Sequence, residues 1–262
     1  MAGYYYPAEP DALRDAVDAW SRREAPPLPA RAVIVPHSSF ARSGAIAGAM
    51  CARVAIPRRC LLIGPSHTGS RMRWSLMAAG AYQTPLGEVP VDEASAEALR
   101  LRCPFLEVDG SAQRGEHALE VVLPFFQRLG PADLTALPIV MGAEDGGEIS
   151  RLADAIAQTV RMSEEPWLLI ASADLSQHEP RDRAVRLDRA VIERIAALDG
   201  AGLLRLARER PARMCGAGAA ACVLQAAAAL GASRGTLVRY GTSADAEGDP
   251  HAVTGYAGFL IE

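Results

Sequence analysis

Cys60 to His67 reads CLLIGPSH: an unbroken apolar run meets a glycine and a proline, and a histidine stands where the run ends. Such a run predicts a strand buried on both faces, as when helices cover both sides of a sheet. RAVIVPH, from Arg31 to His37, and WLLIASADLSQH, from Trp167 to His178, repeat the pattern. Helical spacing fills the chain between and around them. In EPDALRDAVDAWSRR the residues Leu13, Val17 and Trp20 share one face. SGAIAGAMCARVA, DEASAEALRLR, EISRLADAIAQTVRM, DRAVRLDRAVIERIAAL and the alanine-rich GAGAAACVLQAAAAL also read as helices. Further strands are expected at LTALPIVMG, GTLVRYGTS and VTGYAGFLIE. Strands alternating with helices predict an α/β/α sandwich around a mostly parallel or mixed sheet. No repeat is visible, and the one linker-like stretch, REAPPLPAR (23–31), is short, so residues 1–262 are expected to form a single domain.

With 50% hydrophobic and 22% charged residues the composition is that of an ordinary globular protein. A formal net charge of −4, with arginines scattered among carboxylates, argues against nucleic acid as a partner. No stretch has the roughly 20 strongly apolar residues of a membrane span, and MAGYYYPAEPDALRDAV carries no secretory pattern, so a cytoplasmic location is expected. The five cysteines are odd in number, widely spaced and without a CxxC pair, which suggests neither disulfides nor a zinc knuckle. IGPSHTG lacks the ending of a phosphate loop, GAGAAA lacks the third glycine of a dinucleotide site, and no Gly-x-Ser-x-Gly elbow occurs.

The histidines carry the chemistry. Of five in the chain, His37, His67 and His178 each follow a predicted strand, and a fourth, His117, lies in GEHALEVVLPF. Ligand sites of α/β sheets form beyond the carboxyl ends of the strands, so the strand-end imidazoles are expected to meet at one edge. A lone strand-end histidine is more often a structural residue, but packing does not readily explain three at equivalent places. His251, in EGDPHAVTG, is read as a surface-loop residue. Cys215, in RPARMCGAGAA, is expected at a helix start, where the helix dipole lowers a thiol pKa.

The ordered blocks AGYYYP, VPHSSFARSG, IGPSHTG, EHALEVVLPF, SADLSQH, MCGAGAA and YGTSAD, followed by VTGYAGFLI, resemble the Memo family, relatives of the human mediator of cell motility, along nearly the whole chain. That family is similar in fold to the class III extradiol dioxygenases. The resemblance implies a metal cleft lined by His37, His67 and Cys215, with iron first, and copper or zinc next, as the ion. A thiolate in place of a carboxylate tilts such a site toward softer ions. By family position His117 is a pocket wall or proton-transfer residue, with a buried helical histidine as the plain alternative. Glu116 and Glu120 stand beside it, and Glu120 would cap or brace the pocket.

The block SADLSQH departs from the usual family pattern: Asp174 is followed by Gln177 where a histidine is usual, and His178 comes one position late. Either His178 reaches in as an acid or base, or the chain lacks that step, because glutamine cannot accept and return a proton. The resemblance implies a non-haem-metal, dioxygenase-like enzyme acting on a small aromatic or enediol-like substrate, with His117, His178 and Asp174 as catalytic residues. The alternative is a binding module that holds a peptide or a redox metal in the same cleft without turnover. Metal-assisted hydrolysis would use the same ligands. A radical-SAM partner is a further implication of family analogy.

Overall fold

Ten strands and nine helices carry the argument that follows, all drawn from a computed structural model that describes residues 1–262 except 24, 70–72, 143 and 210–213. In chain order the strands are β1 (Ala32–Val35), β2 (Arg59–Pro65), β3 (Trp74–Leu76), β4 (Ala81–Thr84), β5 (Gly87–Pro90), β6 (Glu107–Val108), β7 (Thr135–Met141), β8 (Trp167–Ser172), β9 (Gly235–Thr242) and β10 (Gly255–Ile261). Among the described residues, eight form one sheet in the order β6-β3-β7-β2-β8-β1-β10-β9, and β4 and β5 pair as a separate hairpin. The middle four, β7, β2, β8 and β1, are mutually parallel, and antiparallel strands close both flanks.

Each central strand is buried on both faces because its alternate residues enter two different cores. Leu61, Ile63, Leu137, Ile139 and Leu169 join one core, while Cys60, Leu62, Ala136, Val140 and Ile170 join the other. Over the second core lie α1 (Pro10–Trp20), α2 (Phe40–Arg53), α4 (His117–Glu120) and α5 (Leu123–Leu129). Over the first lie α3 (Glu93–Arg102), α6 (Gly146–Arg161), α7 (Arg181–Ala196), α8 (Gly200–Glu209) and α9 (Ala217–Ala229). The result is the expected α/β/α sandwich with a mixed sheet.

Local chemistry sets the element ends. Helix α1 begins on a proline and buries Leu13 and Val17, one turn apart. Helix α6 starts where the Asp145 carboxylate accepts the N–H groups of Gly147 and Glu148, two donors that a helix start leaves orphaned. Leu198 takes a left-handed conformation (φ 55°) and separates α7 from α8, which sequence periodicity does not reveal. The short strands β3 and β6 and the β4–β5 hairpin were likewise unanticipated, because two to four residues are too few to display a period. Among the described residues no helix is long and apolar enough to cross a membrane.

Candidate metal centre

Strands β2, β8 and β1 are neighbours, and their carboxyl ends share one edge of the sheet. His67 is the second residue beyond β2, Asp174 the second beyond β8 and His37 the second beyond β1. Glu116 and His117 reach the same edge on α4, which Gly64 of β2 lets approach: a Cβ on Gly64 would stand 2.8 Å from Leu119 Cδ2. Cys215 arrives from the chain ahead of α9, its carbonyl accepting the Asp174 N–H at 3.0 Å.

His37 is 1% exposed, and its ring is fixed from behind. Ser172 Oγ–H donates to the Ala118 carbonyl at 2.6 Å, so at 2.8 Å from His37 Nδ1 the same oxygen must accept. The proton of the neutral ring therefore sits on Nδ1, and Nε2 keeps its lone pair. Burial above all lowers the His37 pKa, with His67 adding to the effect and Asp174 opposing it, which favours that neutral ring. Asp174 itself is occupied: Oδ1 accepts the His37 N–H at 2.9 Å and Oδ2 the Ser38 hydroxyl at 2.7 Å.

Glu116, equally buried, does for His67 what Ser172 does for His37. Burial would raise its pKa, yet hydrogen bonds from the His67 ring, the His67 N–H and the Ala118 N–H bring it down to about 2. With Glu116 ionised, the 2.8 Å contact between Oε1 and His67 Nδ1 requires a proton on that nitrogen. His67 Nε2 then faces Cys215 Sγ at 2.9 Å. The donor atoms of His37, His67 and Cys215 all lie within 4.8 Å of one another. Two ligands 2.0 to 2.3 Å from one ion are at most about 4.6 Å apart, so the three fit a single ion after a small closure.

His117 completes a cluster of rings. Its centroid is 4.3 Å from that of His67 and 5.6 Å from that of His37, and Tyr5 stacks on it at 4.5 Å. Burial, followed by the two neighbouring imidazoles, lowers its pKa to about 4, so it is a neutral proton acceptor at physiological pH.

Cys215 corrects the expectation of a dipole-activated thiol. Helix α9 starts at Ala217 behind Gly216, so Cys215 stands outside the helix; residues 211 and 213, the proline and arginine ahead of it, lie outside the described residues. Burial, then the carboxylates of Asp174, Glu116 and Glu144, push its pKa up to about 12. Cys215, His67 and Glu116 have the contacts of a nucleophilic triad, but the raised pKa opposes a free thiolate. Three carboxylates and a thiol around two lone-pair nitrogens suit a cation instead, which is the donor chemistry of a metal site.

The structure thus brings together His37, His67, Cys215, His117 and Asp174. It does not bring in His178, which is exposed and left-handed (φ 57°) and has, among the described residues, no hydrogen bond or ring contact to the cluster. His251 is exposed, as expected. Glu120 braces rather than lines the site, accepting the Tyr6 hydroxyl at 2.5 Å. Ser172 and Tyr5 were missed as site residues, although both sit in the motif blocks SADLSQH and AGYYYP.

The family model described as Memo, Memo-like protein, matches residues 1–260. A MEMO1 family protein of Methanopyrus kandleri is 35% identical, with 100% of this chain and 97% of the relative aligned. One from Aquifex aeolicus is 31% identical at the same two coverages. Among solved structures, an uncharacterized protein of Escherichia coli K12, JW3007, aligns with a TM-score of 0.56 over 88% of this chain and 99% of its own, at 13% identity, a likeness of fold alone. With the family model spanning the chain almost end to end, and relatives above 30% identity over all of it, the chain belongs to the Memo family.

Proposed function

We propose that this protein holds one redox-active metal ion, iron or copper, on His37 Nε2, His67 Nε2 and Cys215 Sγ, and uses it to activate a small aromatic or enediol-like substrate toward molecular oxygen, the oxidant, in a dioxygenase-like reaction. The observation that carries the reading is the pair of imidazoles whose Nδ1 protons are fixed by Ser172 and Glu116, leaving both Nε2 lone pairs beside one thiol. A bound ion supplies Lewis acidity and one-electron chemistry to a substrate hydroxyl. His117 takes the substrate's proton at Nε2, its Nδ1 lying 3.4 Å from Glu116 Oε1. Asp174 is a positioning residue, since its carboxylate holds the backbone of His37 and the hydroxyl of Ser38.

The test is the metal content of anaerobically purified protein and of its His37→Ala, His67→Ala and Cys215→Ala variants. Near-stoichiometric metal in the parent and loss in all three variants is expected. Parent protein that contains no metal and takes up none of Fe(II), Cu(I) or Zn(II) overturns the proposal. A second reading, a metal-holding module without turnover, is favoured by the exposure of His178, which leaves the Gln177 position without an imidazole. Oxygen consumption with catechols that is present in the parent and abolished in His117→Gln, at equal metal content, decides for the enzyme.

A further inference from the structure

One edge of the eight-stranded sheet is β9, separated from β1 by β10. It runs for eight residues, and Thr236, Leu237 and Arg239 along it are exposed. A bulge at Val238, opposite the Gly258–Phe259 step of β10, divides β9 into two short runs, and each run offers unpaired N–H and C=O groups to another strand. Beside it, α2 contributes the half-buried Ala45 and Ala49 and the buried Ala52, so the flank of the edge is a trough of about 680 Å³ with a floor of small side chains. Trp20 and Leu237 add apolar walls.

The charge along this trough is one-sided. Among the described residues its lining includes three arginines, Arg22, Arg53 and Arg239, and no carboxylate, in a chain whose formal net charge is −4. Half of the described arginines are ion-paired, Arg42 with Glu247 and Arg181 with Asp245 among them. Among the described residues these three have neither an ion-pair nor a side-chain hydrogen-bond partner. Side-chain cations gathered around an exposed edge and an apolar floor match an extended, acidic segment.

We infer that β9 is a docking edge for an acidic, extended segment of a partner protein, which adds to the sheet as a ninth strand. Main-chain hydrogen bonds to β9 supply the register, small apolar side chains lie over the alanine stripe, and carboxylates meet Arg22, Arg53 and Arg239. Self-pairing of two copies through β9 would set Arg239 near Arg239, a like-charge contact that disfavours a second copy as the occupant.

The experiment uses the full chain and a fluorescein-labelled peptide, Glu-Val-Glu-Val-Glu-Thr-Glu-Val, followed by anisotropy and by amide hydrogen exchange. Expected are saturable binding that weakens as salt rises, slowed exchange confined to 235–242, and affinity at least about tenfold lower in Arg53→Glu/Arg239→Glu. The same peptide with lysine in place of glutamate should not bind. The metal content and unfolding midpoint of the double variant should match the parent, because neither arginine holds another group. Absence of binding by the parent, equal binding by the variant, or protection elsewhere overturns the inference. So does preferential capture of single-stranded DNA over the acidic peptide, or a dimer of the unliganded parent that the double variant dissolves.

Discussion

At the scale of the residue, the centre depends on groups that never touch its ligand. Glu116 orients His67 through charge, and Glu116→Gln keeps the shape while removing it, so the amide can meet either tautomer of the ring. Metal affinity measured by chelator competition should fall about ten- to hundredfold, the usual cost of losing such an outer partner. The thiol makes a second prediction. At about 12 its pKa keeps Cys215 protonated near neutral pH, whereas His37, lowered below its ordinary 6.5, is already neutral. Metal uptake should therefore release about one proton, from the thiol and not from His37. Calorimetry in buffers of differing ionisation enthalpy reads this directly, and Cys215→Ser should abolish the release; uptake by the parent without proton release would contradict the assignment. His37 and His67 were legible in the sequence because each ends a continuous apolar run. Ser172 was not, since its role depends on Ala118, 54 residues away. Nor was the sign of the Cys215 shift, for the carboxylates that raise it come from positions 116, 144 and 174 and meet only in the fold.

At the scale of the element, two glycines show how closely the strand ends and helices must approach. Gly216 joins Cys215 to α9 at φ +85°, and a Cβ there would lie 2.5 Å from the Ser172 carbonyl oxygen and 3.1 Å from Ala173 Cα, all at the end of β8. Gly231 has a similar φ of +91°, but a Cβ there meets nothing within 4 Å. Gly231→Ala should cost only the left-handed penalty, about 1 kcal/mol. Gly216→Ala adds a backbone collision and should cost about 3 kcal/mol or more, and should loosen metal binding by displacing Cys215. Urea unfolding of the two variants side by side tests this, and equal losses would mean that the close approach to β8 is not tight. The central strands were readable because both of their faces are apolar. β9, half exposed at the edge, was readable from its β-branched and aromatic content, whereas β3 and the β4–β5 hairpin carry too few residues to announce themselves. Pairing order is a different matter: β8 lies between β1 and β2, and no local signal records that insertion.

At the scale of the whole molecule, the sheet belongs to two cores at once, which bears on how the chain comes apart. Stripping away α1, α2 and α5 would expose Leu62, Val140 and Ile170, and stripping away α6 and α9 would expose Ile63, Ile139 and Leu169, so neither layer can leave without uncovering the sheet. Chains of this length often unfold through intermediates, which makes strict cooperativity a substantive expectation. The three tryptophans report the two sides: Trp20 packs with the α1–α2 layer, while Trp74 and Trp167 lie in the opposite core. Variants that keep only Trp20, or only Trp167, should give coincident urea midpoints by fluorescence, matching the midpoint from circular dichroism. The metal centre draws its side chains from loops after β1 and β2 and from the segment ahead of α9, and so spans both layers. Saturation at a hundred times the dissociation constant should stabilise the fold by about 2.7 kcal/mol and move both tryptophan signals together. A Trp20 transition that precedes the Trp167 transition, or that fails to shift with added metal, would show that the α1–α2 layer opens on its own.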